Sequence, residues 1–91
     1  MAIMAINYDL KAPGRDYQPL YDAIKTYTWC HILESCWLVD TQKTAAEVRD
    51  HLKAKVDGND EIFVARLQGN WATSFSDQAT DWLKSPSRNW G

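Results

Sequence analysis

Polarity along the first ten residues changes in a single step. Ala2-Ile3-Met4-Ala5-Ile6 is apolar, and then Asn7 and Asp9 arrive, sharing a face with Ile3 and Ala5 under the two-residue alternation of a strand. Met4, Ile6, Tyr8 and Leu10 take the other face, so both faces demand cover and the pattern predicts a central strand. Tyr17, Leu20, Tyr21 and Ile24, continued by Tyr27 or Thr28, recur at helical spacing behind Asp16, which is placed to cap a helix beginning at Tyr17; Pro19 is tolerated in its first turn. Trp29 to Val39 combines Trp29, Ile32, Trp37 and Val39 without glycine or proline, a β-rich stretch with its break at Ser35.

Thr44-Ala45-Ala46-Glu47 reads as a capping box opening a second helix, with Ala45, Val48, Leu52 and Val56 as its apolar stripe. Lys53 and Lys55 suit the negative end of that helix, and Gly58 supplies a stop. Glu61 to Leu67 is a further strand, covered on both faces by its unbroken run from Ile62 to Ala65, and Gly69-Asn70 ends it. Trp71, Thr73 and Phe75 alternate across a short fifth strand, Ser76 caps a brief helix holding Ala79, Trp82 and Leu83, and Ser85 to Gly91 is a tail.

The resulting order, strand, helix, strand, strand, helix, strand, is a two-fold βαβ pattern. It predicts an α+β fold, a ferredoxin-like βαββαβ sandwich over residues 1–75, with the possible extra strand at its end and a C-terminal extension over 76–91 that holds the short helix. With 91 residues the chain makes one domain, and a chain of this size buries roughly 60–65% of its unfolded surface. No basic leader with a following apolar run is present and nothing approaches the length of a membrane span, so the expectation is a cytoplasmic protein without membrane contact.

Charge and chemistry narrow the function classes. A net charge of −2 gives no global field toward a phosphate backbone, so nucleic-acid contact requires a local patch drawn from Lys11, Arg15, Arg66 or Arg88. Five tryptophans and four tyrosines exceed what a small core absorbs, which sends some to the surface as interface anchors or stacking platforms. Trp37 and Trp82 suit a core or dimer contact, whereas Trp71 and Trp90 suit an exposed role. Cys30 and Cys36 on one extended strand would stand about 20 Å apart at ~3.3 Å per residue, which predicts two buried thiols unless a hairpin brings them together.

Cys30, His31, Cys36 and His51 lack the paired spacings of a zinc site, and the histidines suit structural or solvated roles. The four glycines are too scattered for a phosphate loop, and no G-x-S-x-G elbow occurs. Asp9 stands at the boundary of core and solvent, either as a turn residue before Lys11-Ala12-Pro13-Gly14 or as a metal ligand. Lys11 and Arg15 follow it closely, either as a solvated loop or as phosphate contacts beside that carboxylate.

Ile6-Asn7-Tyr8-Asp9-Leu10 and Glu34-Ser35-Cys36-Trp37-Leu38-Val39, set in this element order, resemble the Cas2 family of small CRISPR-associated proteins and their VapD-like toxin relatives. The first segment is similar to that family's strand ending in Tyr-Asp and an aliphatic residue, the second to its serine-centred hairpin, and the likeness runs from about residue 3 to about residue 72. It implies a homodimer of sheets packed face to face, with Trp37, Trp71 and Phe75 at the interface and Trp71 to Phe75 joining the partner's sheet. It also implies Asp9 as the catalytic residue and metal ligand near the two-fold axis, sharing Mg²⁺ or Mn²⁺ with its counterpart for cleavage of RNA or DNA. Tyr8, Lys11, Arg15 and Ser35 then become candidates for binding nucleic acid or a nucleotide. Two other classes stay open beside this nuclease: a non-catalytic dimer that binds a nucleotide or a nucleic-acid end, and an interaction subunit whose aromatics dock a protein partner.

Overall fold

The computed structural model describes residues 2–12, 14–72, 74 and 77–86. In chain order it holds β1 (Ala2–Asp9), α1 (Gln18–Ile24), β2 (Thr28–Leu33), β3 (Cys36–Thr41), α2 (Ala45–Lys53), β4 (Glu61–Leu67) and α3 (Asp77–Lys84). This is an α+β fold on a four-stranded antiparallel sheet in the order β2-β3-β1-β4. β1 is an interior strand between β3 and β4, and its double-faced apolar pattern matches the separate cores on the sheet's two faces.

Alternation divides the sheet into two faces. Met4, Ile6, Trp37 and Val39 pack beneath Leu20, Ala23 and Ile24 of α1 and Val48 and Leu52 of α2 in the main core. Ile3, Ala5 and Leu38 point the other way and meet Leu83 of α3, with Ile32, Leu67, Trp71 and Trp82 around them. The helix foreseen in the C-terminal extension therefore closes a second, smaller core.

Local chemistry sets the helix ends. The Thr44 hydroxyl accepts the Glu47 amide at 3.1 Å while the Glu47 carboxylate accepts the Thr44 amide at 2.9 Å, the reciprocal capping box. Helix α1 starts one residue later than expected, with Tyr17 at the cap position, while Asp16 accepts the Gln18 amide from one residue further out. Its C-terminal end also comes early, because Thr28 is drawn into the sheet opposite Asp40. Helix α2 stops at Lys53 through Ala54, before Gly58 is reached. Gly14 does use a backbone conformation that side chains disfavour, at φ 84°, inside a turn closed by the Arg15 amide on the Ala12 carbonyl at 3.1 Å.

The expected fifth strand is not found among its described residues: Trp71, Ala72 and Ser74 carry no strand. Trp71 turns onto the second core of its own chain instead of projecting along an edge. Thr73, Phe75, the cap residue Ser76 and Trp90 lie outside the described residues. A β2–β3 hairpin does form about Glu34 and Ser35, yet Cys30 faces Leu38 and Cys36 faces Leu33, so the thiols are out of register and both are free. Cys36 is half-buried rather than buried, and burial raises its thiol pKa. No helix among the described residues is long and apolar enough to cross a membrane.

Candidate functional site

Most of the candidate residues gather at one end of the sheet, where β1 ends, β4 begins and the β2–β3 hairpin turns. They divide between its faces. On the face of the second core, Asp9 stands opposite Glu61 in the β1–β4 register. The Lys11 ammonium bonds to the Glu61 carboxylate and lies 3.9 Å from that of Asp9. Hydrogen bonding and charge attraction between Lys11 and Glu61 raise the lysine pKa and lower that of the glutamate. Asp9 is well exposed, with 73% of its side chain accessible.

Arg15, grouped with these residues by sequence, is elsewhere. Its guanidinium lies 4.0 Å from Asp57 and 6.0 Å from the Tyr17 ring centre. Among the described residues no group of three or more His, Cys, Asp or Glu is arranged to hold a metal ion. On a single chain Asp9 and Glu61 already share an ammonium, so this donor set does not fit a divalent cation as it stands.

Asp60, which sequence reasoning passed over, holds the loop behind this corner. It is 2% exposed and accepts the Lys11 amide at 2.7 Å, the Tyr17 hydroxyl at 2.9 Å and the Asp57 amide at 2.8 Å. The Tyr17 oxygen in turn accepts the Ala12 amide at 3.2 Å. Burial alone would raise the Asp60 pKa; the bonds from Lys11, Asp57 and Tyr17 outweigh it and hold the carboxyl below its usual range. The β1–α1 loop is thus tied to the start of β4, across 49 residues of sequence, by one carboxylate.

The opposite face carries an aromatic cleft of about 340 Å³. Trp37, buried on β3, is its floor. His31 lies parallel to it at 3.9 Å between ring centres, at 7°, and Tyr21 lies at 6.1 Å and 20°. The Trp37 indole N–H donates to the Tyr8 hydroxyl at 2.9 Å, which donates to the Glu34 carbonyl at 3.1 Å; that carbonyl also meets His31 Nε2 at 3.2 Å. Burial raises the Tyr8 pKa against the lowering effect of the Trp37 bond. Gln18, Lys25 and Glu34 supply the polar rim, and Trp29 packs 5.3 Å from Trp37 with the Lys25 ammonium 5.3 Å over its ring.

Of the residues singled out from sequence, Tyr8 and Trp37 meet in this cleft. Ser35 is exposed at the hairpin tip, its carbonyl accepting the Tyr8 amide at 3.2 Å. Trp37 serves the core of its own chain, since β3 is an interior strand and α1 covers that face. Tyr21, His31, Lys25, Gln18 and Glu34 escaped notice as a group. Folding the hairpin on Glu34-Ser35 would have set His31 against Trp37, which is the one signal the sequence offered. His51, by contrast, has the structural role expected of it, with Nδ1 2.7 Å from the Tyr27 hydroxyl.

Such an arrangement can receive a flat ring by stacking, with a single ammonium and neutral or acidic acceptors at its edge. No protein-family model matches the chain.

Proposed function

We propose that the protein is a small non-catalytic module that takes a nucleotide, or the terminal base of a nucleic-acid end, in the aromatic cleft. The observation that carries this reading is the near-parallel set of Tyr21, Trp37 and His31 rings lining an open cleft. Every base has a π-face, and stacking on such rings contributes about 1–3 kcal/mol per base. Lys25 offers one ammonium for a phosphate, in keeping with a chain of net charge −2 and a ligand of few phosphates rather than a long backbone. The floor is preorganised, because Trp37 is buried and its N–H is satisfied by Tyr8.

Titration of the four nucleoside monophosphates and short single strands in EDTA, read by tryptophan fluorescence, tests the proposal. A saturable change weakened roughly tenfold in His31→Ala is expected. Absence of saturable binding by any of them would sink it.

The element order, with β3 lying between β1 and β2, supports assigning the ferredoxin-like double βαβ arrangement. Through it a second reading remains, that of a Cas2- or VapD-like homodimeric nuclease using Mg²⁺ or Mn²⁺ with Asp9. One observation favours it: Asp9 shares its face with the row of Asn7, Cys36 and Phe63, where Phe63 is 65% exposed and offers an apolar surface for a second copy beside that carboxylate. Helix α3 covers the Ile3 and Leu38 end of the same face, leaving such a partner the other end. Metal-dependent cleavage of labelled RNA or DNA that is lost in folded Asp9→Ala would favour this reading over the first.

A further inference from the structure

We infer that the aromatic cleft selects guanine among the nucleobases, an inference that rests on the nucleotide-binding reading above. The polar groups at its rim include two acceptors, on Gln18 and Glu34, beside the Lys25 ammonium. Gln18 donates one hydrogen of its amide Nε2 to the Asp22 carboxylate at 2.8 Å; a carboxylate can only accept, so the amide orientation is set, and Oε1 is an acceptor left for a ligand beside the second Nε2 hydrogen. Glu34 presents a second acceptor. Its side chain has no hydrogen bond or ion pair among the described residues, while its backbone carbonyl is held by the Tyr8 hydroxyl and His31 Nε2. The backbone of Glu34 is therefore fixed beside the stacking rings, and its carboxylate is carried at the rim on an exposed side chain.

A carboxylate with two open oxygens pairs best with two adjacent donors. Guanine supplies them as N1–H and the N2 amino group on one edge. Adenine sets a ring acceptor beside its N6 amino group, cytosine does the same beside its N4 amino group, and uracil flanks its one N–H with carbonyls. Each of these three points a lone pair at a carboxylate oxygen where guanine points a hydrogen. Lys25, the cation of the cleft, suits the phosphate of the same nucleotide. A bidentate contact of this kind discriminates bases by roughly tenfold or more.

The experiment titrates wild type, Glu34→Gln and His31→Ala with GMP, AMP, CMP and UMP, with circular dichroism confirming that each variant folds. GMP is expected to bind wild type about tenfold more tightly than the others. Glu34→Gln, which puts an amide N–H beside an acceptor where two acceptors stood, is expected to weaken GMP about tenfold and to abolish the guanine preference. Equal affinities in wild type, or a guanine preference surviving in Glu34→Gln, would overturn the selectivity and leave the nucleotide site standing. Failure of every nucleotide to bind would overturn both.

Discussion

Tyr8 and Asp9 are neighbours on one strand and belong to two different kinds of surface. Tyr8 turns toward α1 and joins a packed set of rings, its hydroxyl placed between the Trp37 indole and the Glu34 carbonyl. Asp9 turns the other way into water, where a lysine partner is 3.9 Å off. In the cleft the rings of Tyr8, Tyr21, His31 and Trp37 are held against one another, so their geometry is available to a ligand without further ordering. At the carboxylate corner the charges are solvated and screened, and the ion pairs there contribute little to stability. The residue that looks most chemical in the sequence therefore sits in the less organised of the two regions.

The comparison breaks most severely at Trp37. Trp37→Ala should cost about 3–5 kcal/mol, because it empties a buried position beneath α1 and leaves Tyr21 and His31 without a floor. Chemical denaturation would show this as a shifted midpoint or as failure to fold. Trp37→Phe keeps much of the volume and removes the donor to Tyr8, for an expected loss of about 1–2 kcal/mol.

Asp60→Asn comes next, since it weakens the tie between the β1–α1 loop and β4. Its sign with pH follows from the lowered carboxyl pKa. Stability from the charged form is fully present above the unfolded value of 3.8 and is lost as pH falls through the lower folded value. Glu61 acts the same way from its ordinary 4.5. Denaturation midpoints measured from pH 7 to pH 2.5 should hold steady and then fall below about pH 4, with a shallower fall in Asp60→Asn. An identical acid limb in both proteins would remove Asp60 from its organising role.

His31→Ala sharpens the contrast at smaller cost. The ring is exposed, so ligand affinity should fall roughly tenfold while the melting temperature moves by no more than about 4 °C. Asp9→Ala is the mildest change, with a melting temperature expected within about 2 °C of wild type. A large loss of stability there would show the corner to be more tightly built than its exposure indicates.

Where the chain's pattern is local, it could be read directly. The capping box at Thr44 and Glu47, the break at Ser35, the double-faced β1 and the amphipathic stripes of α1 and α2 depend on residues within a few positions of one another. Errors arose where a remote partner decides. Trp71 follows a strand-like alternation but turns onto the Ile3 and Leu38 core, and α1 loses its last expected residues to the sheet.

By itself, then, the sequence determined the order of elements from β1 to β4, their apolar faces and the division of Tyr8 from Asp9 across the sheet, because the two-residue and 3.6-residue periods are properties of the backbone. Only the tertiary structure decided which side chains would meet. His31 reaches Trp37 through hairpin register, Tyr21 arrives from a helix, and Asp60 finds Lys11 across 49 residues. Nothing in the local pattern encodes those distances, since they are set by how the helices settle on the sheet and how its strands align.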